Sequence, residues 1–295
     1  MQGVVIKMAT FKDFRNDVKP NWCPGCGDFS VQAAIQRAAA NVGLEPHQMA
    51  IISGIGCSGR ISGYVHSYGF HGIHGRALPI AQGVKMANRD LTVIAAGGDG
   101  DGFAIGMGHT IHAIRRNIDI TYIVMDNQIY GLTKGQTSPR SDVGFKTKST
   151  PQGSVEPALS IMEMALSAGA TFVAQSFSSD LKELTYLIEE GIKHKGFSLI
   201  NVFSPCVTYN KVNTYDWFKE NLTSLSKIEG YDPSDRMMAM QTLMKHKGLV
   251  TGLIYQNKEQ KSYQDLIQGY SETPLAHADL KLSKEKFDEL VAEFM

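Results

Sequence analysis

The sequence has few cysteines, no excess of charge of either sign and no long apolar run. Four cysteines in 295 residues are too few for a disulfide scaffold. The 29 basic and 29 acidic side chains cancel, which argues against a generic nucleic-acid or polyanion binder. No apolar run approaches the roughly eighteen residues of a membrane span, and residues 1–17 lack the apolar core of a secretory signal. We therefore expect a cytoplasmic protein that binds neither nucleic acid nor a membrane.

Apolar runs and amphipathic stretches alternate along most of the chain. This alternation predicts an α/β fold with a mostly parallel sheet and helices on both faces. The predicted strands are Met49–Ser53, Leu91–Ala96, Ile118–Met125, Thr171–Ala174, Phe197–Phe203 and Leu249–Tyr255. The predicted helices are Phe29–Leu44, Ile80–Asn88 after Pro79 at a first-turn position, Phe103–Asn117, Pro157–Ala168 and Leu181–Lys193. Residues 134–156 are rich in Gly, Ser, Thr and Lys, which predicts a mobile or functional loop.

Three parts are predicted along the chain: an N-terminal segment 1–20, an α/β domain 21–208 and a C-terminal extension 209–295. The extension is more polar and mostly helical, and we expect it to pack on the core or on a partner subunit. Within the first segment, Met8 is an alternative to Met1 as the native start.

Polar side chains follow several predicted strands, where ligands of parallel sheets bind. The glycine-rich segment Gly97–Gly102 lies between a strand and a helix, so its backbone amides can approach an anion. A lone carboxylate beside phosphates would be repulsive, so Asp99 implies a divalent cation. Asn127 follows the next strand and offers a neutral oxygen that suits magnesium. The structural alternative is a glycine-rich turn and an unrelated loop.

The cysteines leave three kinds of site open. Cys23 and Cys26 form a Cys-Pro-Gly-Cys pair, whereas Cys57 and Cys206 are single and distant. The pair alone could be a redox dithiol. A structural zinc site usually takes two close pairs, and an iron–sulfur cluster takes four thiolates from scattered positions. The spacing alone does not decide between zinc and an iron–sulfur cluster.

Six segments follow one another along the chain: Trp22–Asp28, Gly54–Arg60, His74–Pro79, Gly98–Gly100, Asp126–Thr133 and Ser204–Cys206. The fourth and fifth of them resemble the thiamine diphosphate-binding motif, although Asp126 stands where many members have asparagine. Together, and in this order, the segments resemble the beta subunit of 2-oxoacid:ferredoxin oxidoreductases, and the likeness runs from about residue 20 to about residue 215.

The resemblance implies the half of the thiamine-diphosphate fold that holds diphosphate and metal, followed by a C-terminal helical extension. It implies that the side chains of Asp99 and Asn127 and the carbonyl of Ile129 bind Mg²⁺. It implies a [4Fe-4S] cluster on Cys23, Cys26, Cys57 and Cys206. The implied cofactor contacts are Ile55, Gly56, Cys57, Ser58, His74, Gly100, Asp101, Gly131 and Leu132. Candidate contacts to substrate, diphosphate or coenzyme A, each with an ordinary structural alternative, are Arg60, Arg76 and Lys134.

The resemblance further implies oxidative decarboxylation of 2-oxoacids, such as pyruvate and 2-oxoglutarate, with coenzyme A to acyl-CoA and CO₂, and reduction of ferredoxin. The carboxylate that activates thiamine lies on a separate pyrimidine-binding domain in this family. Residues 209–295 contain no second strand–helix series that could form it, so a larger alpha subunit is expected, in an αβ or (αβ)₂ assembly. The alternatives are a non-oxidative thiamine decarboxylase or synthase with a structural zinc, and a non-catalytic electron-transfer subunit.

Overall fold

The computed structural model describes residues 9–268, 270 and 272–295. The choice between Met1 and Met8 as the start lies outside these residues. The strands, in chain order, are β1 (Met49–Ser53), β2 (Tyr68–His71), β3 (Thr92–Gly98), β4 (Ile120–Asp126), β5 (Ile129–Tyr130), β6 (Gln136–Thr137), β7 (Phe172–Phe177), β8 (Phe197–Phe203), β9 (Thr223–Ser224) and β10 (Val250–Gln256). The α-helices are α1 (Asp28–Asn41), α2 (Ala77–Ala87), α3 (Met107–Arg116), α4 (Ile161–Ser167), α5 (Leu181–Lys193), α6 (Tyr215–Asn221), α7 (Arg236–Lys245), α8 (Tyr263–Leu266) and α9 (Lys284–Ala292).

Eight strands form one sheet in the order β2-β1-β3-β4-β8-β7-β10-β9. The strands from β2 to β7 in this order are parallel, and β10 then runs antiparallel to β7. Every residue of β1, β4, β7 and β8 is buried. Strands buried on both faces are typical of a parallel sheet between two helix layers, so the predicted α/β fold class is confirmed.

Successive side chains of a strand point to opposite faces of the sheet, and β4 shows how this builds two cores. Ile123 and Met125 pack on the face that α1 and α5 cover. Tyr122 and Val124 pack on the other face, which α2, α3, α4 and α7 cover. The two cores hold the sheet rigid, so its strand ends have fixed relative positions.

The predicted bounds agree for β1, β8 and α5, and differ at several other elements. The helix predicted at 103–117 begins instead with a π-helical turn, Asp101–Ile105, before α3. α4 begins at Ile161 rather than at Pro157, because the Leu159 N–H donates to the Pro139 carbonyl and holds the chain against the preceding loop. The edge strand β2 was not predicted, because its four residues, Tyr-Gly-Phe-His, are too few to give a continuous apolar run, and all four are exposed.

The C-terminal part of the chain contributes to the main sheet. The strand-like run at 249–255 forms β10, which pairs with β7 and with the short β9. α9, in contrast, has no buried residue. Among the residues that the structure describes, no helix is both long enough and apolar enough to cross a membrane.

Candidate functional site

A cavity of about 230 Å³ opens at the edge of the sheet where β1, β3 and β4 end. It is formed by the loops that follow these strands, together with His74. Because parallel strands end at one edge, segments far apart in sequence meet here. The lining residues are Ile55, Gly56, Cys57, Ser58, His74, Gly98, Asp99, Gly100, Asp101, Asn127, Ile129, Tyr130, Leu132 and Thr133.

This cavity brings together every residue predicted for magnesium and for the organic cofactor except Gly131. Gly131 lies behind the wall, where a Cβ on it would be 3.4 Å from Cys206 Sγ and 3.8 Å from Cys57 Sγ. Gly98, Tyr130 and Thr133 also line the cavity and were not predicted. The grouping agrees with the predicted site, while the role of each residue stays a prediction.

Asp99 is a buried carboxylate in the wall of the cavity, only 2% exposed. Burial and the neighbouring charge of Asp126 raise its pKa to about 7, although a hydrogen bond from Ser138 and the charge of Arg140 act in the opposite direction. A carboxylate that is this hard to ionise gains most from a cation placed beside it. The side chain therefore suits a divalent ion in the cavity.

Asp101 holds two loops of the site together. Its Oδ1 accepts from the backbone N–H of Ile55 at 3.1 Å and of Gly75 at 2.8 Å, and from His74 Nδ1 at 2.8 Å. The carboxylate thereby selects the tautomer of His74 that carries its proton on Nδ1, which leaves Nε2 as an acceptor. Asp101 lines the cavity as predicted, and in addition it fixes the geometry of the residues around it.

Two glycines allow the closest approaches at the site. A Cβ on Gly100 would lie 2.1 Å from Cε1 of Tyr130, and a Cβ on Gly54 would lie 1.8 Å from Oδ2 of Asp101. Both distances are far below a van der Waals contact, so any larger residue would displace the wall of the cavity.

A buried polar network lies beneath the cavity, and the sequence pattern did not predict it. Ser138 Oγ donates to Asp99 Oδ2, and Arg140 Nε donates to Asp126 Oδ2 at 3.0 Å. Asn201 Nδ2 also donates to Asp126, at 3.2 Å. The network attaches the loop after β6 to the strand ends, so the loop predicted at 134–156 includes part of the site's support. The only signal in the sequence was the position of Asp126 at a strand end.

The four thiols come from three segments of the chain, because Cys23 and Cys26 belong to one Cys-Pro-Gly-Cys turn. Burial, the nearby Asp28 and the other thiols raise the pKa of Cys57 to about 12, and they raise the pKa of Cys26 strongly. Cys23 is exposed, whereas the other three are partly buried. Within the described ranges, no three His, Cys, Asp or Glu side chains are grouped so that they could hold a metal ion.

The three candidate cations do not line the cavity. The Arg60 guanidinium lies over the Tyr64 ring, with Nε 3.3 Å from the Tyr64 hydroxyl. Arg76 donates to the carbonyls of Gly75 and Ile105. Lys134 is exposed on a turn and has a φ of 77°. Each side chain has a local structural role or faces solvent, and a substrate contact stays a prediction for all three.

A larger cavity, of about 510 Å³, opens near Thr92 and Asp119, where β3 and β4 begin. It contains the Lys85–Asp119 ion pair, with 3.0 Å between Nζ and Oδ2. It lies at the opposite edge of the sheet from the glycine segments and the thiols. The smaller cavity is therefore the candidate functional site.

Comparison with family models gives two matches that together span most of the chain. The model described as "Thiamine pyrophosphate enzyme, C-terminal TPP binding domain" matches residues 47–202. The model of the C-terminal part of the pyruvate ferredoxin oxidoreductase beta subunit matches residues 206–272.

Similar proteins cover nearly the whole chain. The 2-oxoacid:ferredoxin oxidoreductase 2, subunit beta, of Aeropyrum pernix is 36% identical over 93% of this chain and 94% of its own length. A 2-oxoacid:ferredoxin oxidoreductase subunit beta of Saccharolobus solfataricus is 40% identical over 92% of each chain. A structure of 2-oxoglutarate:ferredoxin oxidoreductase from Magnetococcus marinus, with 2-oxoglutarate, coenzyme A and succinyl-CoA bound, contains a chain that is 39% identical. That chain matches with a TM-score of 0.87 over 96% of both chains.

Proposed function

Because the chain belongs to the family of 2-oxoacid:ferredoxin oxidoreductase beta subunits, we propose that it carries the diphosphate half of a thiamine site and the first electron acceptor of that enzyme. In the reaction a 2-oxoacid anion and the thiol of coenzyme A give acyl-CoA, CO₂ and one proton, and two electrons pass singly to two ferredoxins. The observation that carries the proposal is the convergence of the predicted magnesium and thiamine residues on one cavity, whose wall also includes one of the four thiols. Cys57 belongs to both the cavity wall and the thiol set.

The residues of the cavity fit a magnesium diphosphate. The Asp99 carboxylate, the Asn127 amide oxygen and the Ile129 carbonyl are hard oxygen donors, which Mg²⁺ prefers. Gly100 leaves the backbone beside them open to an anion, and the Asp101 carboxylate keeps the loops of Ile55 and His74 in place. When bound, thiamine diphosphate supplies the carbon nucleophile and the electron sink of the reaction.

The proposed reaction favours a cluster on the thiols over a zinc ion. Four thiolates can hold either one, but zinc is redox-silent and could not pass single electrons to a ferredoxin. The raised pKa values of Cys26 and Cys57 favour a positively charged partner, because burial disfavours the bare thiolates. We therefore assign Cys23, Cys26, Cys57 and Cys206 to a [4Fe-4S] cluster.

A partner chain completes the site in this proposal. Exposed apolar side chains lie on the cavity wall and on the segments beside it, which is typical of a surface that another protein covers. They are Ile55, Ile73, Ile105 and Leu132. We assign this rim to the alpha subunit, in an αβ or (αβ)₂ assembly in the cytoplasm. Coenzyme A and 2-oxoacids such as pyruvate and 2-oxoglutarate are the proposed substrates, with Arg60, Arg76 and Lys134 as candidate contacts.

The metal assignment is tested with Asp99→Ala in the co-expressed complex. Thiamine diphosphate binding that depends on Mg²⁺ should be lost while the circular-dichroism spectrum stays unchanged, because Asp99 follows the end of β3 and its hydrogen bond from Ser138 holds a loop rather than a helix or strand. Asp90→Ala, an exposed acid where β3 begins, is the matched control and should bind normally. Equal thiamine diphosphate content in wild type and Asp99→Ala would reject the assignment.

Elemental analysis of anaerobically purified protein separates the proposal from its alternatives. About four irons and four sulfides per chain are expected. About one zinc and no iron would reject the cluster and favour the non-oxidative alternative. A chain with iron that binds no thiamine diphosphate would support an electron-transfer subunit.

The division of labour between subunits is tested by expressing this chain alone. It should retain iron but show no 2-oxoacid-dependent dye reduction when thiamine diphosphate, Mg²⁺ and coenzyme A are added. The expectation rests on the absence, within the described ranges, of a second sheet large enough for a pyrimidine-binding domain. Turnover equal to that of the complex would show that the active site is complete in one chain.

A further inference from the structure

The surface around the thiols is basic, although the whole chain has no net charge. Four segments carry the cysteines and the turn that contacts them: residues 19–29, 55–64, 127–137 and 204–214. Each contains one lysine or arginine, and all four cations are exposed: Lys19, Arg60, Lys134 and Lys211. The only acid in these segments is Asp28, which is 1% exposed. The exposed charged side chains of these four segments are therefore positive, and the exposed acids that flank the segments in sequence are Asp17 and Asp216.

The exposed thiol, Cys23, lies on this basic surface. The Tyr215 hydroxyl donates to the Gly25 carbonyl at 3.1 Å, which joins the loop of Cys23 to the segment after Cys206. The backbone N–H of Tyr209 approaches Cys206 Sγ at 3.4 Å. Electron tunnelling falls steeply with distance, so the shortest route from the thiol set to an external acceptor leaves at Cys23.

Apolar side chains on the same segments complete the surface. Phe29 is 38% exposed, Tyr209 39% and Val212 54%. Aromatic and apolar contacts at the centre, with charges at the rim, are the usual composition of a protein interface. An interface with an excess of one sign of charge favours a partner of the opposite sign and speeds the encounter.

We propose that this surface, the Cys23 patch of Lys19, Phe29, Tyr209, Lys211 and Val212, is the docking site for a small acidic electron-carrier protein. The inference rests on the proposed function and specifies where its ferredoxin binds. At each encounter the carrier takes one electron and leaves reduced, so two encounters balance the oxidation of one 2-oxoacid. The alternative is that the cations only offset the charge of the thiolates and their cluster.

The test reverses charge at two residues that have no assigned part in catalysis or substrate binding. Lys19→Glu and Lys211→Glu are combined in the holoenzyme complex. Lys195→Glu with Lys258→Glu is the matched control, since these exposed lysines precede β8 and follow the antiparallel β10 at the opposite edge of the sheet. Three quantities are measured: the KM for a purified acidic ferredoxin, turnover with a small uncharged acceptor such as metronidazole, and the affinity of oxidised ferredoxin for the immobilised complex.

The double reversal should raise the KM and weaken the affinity for ferredoxin by about tenfold or more at low ionic strength, and salt should shrink the difference because exposed charges are screened. Turnover with the uncharged acceptor should stay within about twofold of wild type, and the midpoint potential of the cluster should not change within error. The control variant should match wild type in every measurement. Unchanged ferredoxin affinity would overturn the proposal. An equal loss of turnover with ferredoxin and with the uncharged acceptor, together with a shifted midpoint potential of the cluster, would overturn the docking site. It would indicate that the cations only offset the charge of the thiolates and their cluster.

Different results would reject the proposed function and the proposed docking site. Wild-type complex that reduces no acceptor with any 2-oxoacid would reject the proposed function. Wild-type complex that reduces the uncharged acceptor, but whose ferredoxin affinity does not depend on Lys19 and Lys211, would reject only the docking site.

Discussion

The carboxylate of Asp101 should contribute more to the integrity of the site than any other single side chain in the cavity wall. One oxygen of this buried residue accepts from Ile55, His74 and Gly75. The substitution Asp101→Asn keeps the size and shape of the side chain while it removes the charge. A hydrogen bond to a charged group contributes about 1.5–3 kcal/mol and a neutral one about 0.5–1.5 kcal/mol. Replacing three hydrogen bonds to a charged group with three neutral ones therefore lowers the free energy of unfolding by about 3 kcal/mol.

We expect this loss to lower the thermal denaturation midpoint of the complex by about 6 °C at a fixed scan rate. Thiamine diphosphate affinity should fall as well, because the loops of Ile55 and His74 are no longer held together. Asp216→Asn makes the same chemical change at an exposed residue and should shift the midpoint by less than about 1 °C. A midpoint and a cofactor affinity that both equal those of wild type would refute the role assigned to Asp101.

Two further predictions follow from buried groups. Gly100→Ala should weaken thiamine diphosphate binding at least about tenfold by calorimetry, because its Cβ would lie 2.1 Å from the Tyr130 ring. Gly63→Ala is the control, since a Cβ there meets nothing within 4 Å. Equal affinities of the two variants would contradict the prediction. His194 is buried, and burial together with Lys258 lowers its pKa to about 4, although Asp119 acts in the opposite direction. As the pH falls, the imidazole is protonated in the unfolded state before it is protonated in the folded state, so wild type should lose about 1–2 kcal/mol of stability between pH 7 and pH 5. In chemical denaturation, the stability of His194→Gln should depend less on pH. An identical pH dependence in both proteins would contradict this assignment.

The strand ends were the most predictable part of the site. Asp99, Asn127 and Cys206 each follow a buried apolar strand, and a parallel sheet brings such positions to one edge whatever the details of the loops. The cavity therefore contains the residues that pattern and resemblance had selected. The pattern of the sequence could not supply the direction of individual side chains. The guanidinium groups of Arg60 and Arg76 do not line the cavity and each bonds within its own loop, while their contact with substrate stays a prediction.

The residues that sequence reasoning missed act through contacts that leave no periodic signal. Ser138 lies 39 residues after Asp99, in a loop whose composition indicates only irregular structure, yet it donates to that carboxylate. The edge strand β2 was missed for a related reason, since its four exposed residues do not form the continuous apolar run that marks the central strands. Long-range polar contacts and exposed edges depend on the assembled fold, so composition and spacing do not encode them locally.

The distance along the chain between the cysteines has a consequence for the order of events during synthesis. Cys23 precedes the first strand, and Cys206 follows β8, so the complete thiol set does not exist until most of the chain has left the ribosome. The last thiol reaches the others only when β8 has paired with β4, a contact between residues far apart in sequence that forms slowly. A chain arrested or misfolded before that pairing offers at most three thiols at the site. With the cluster proposed above, stable incorporation of iron would report on completion of the central sheet, and iron content would distinguish fully folded from incompletely folded molecules.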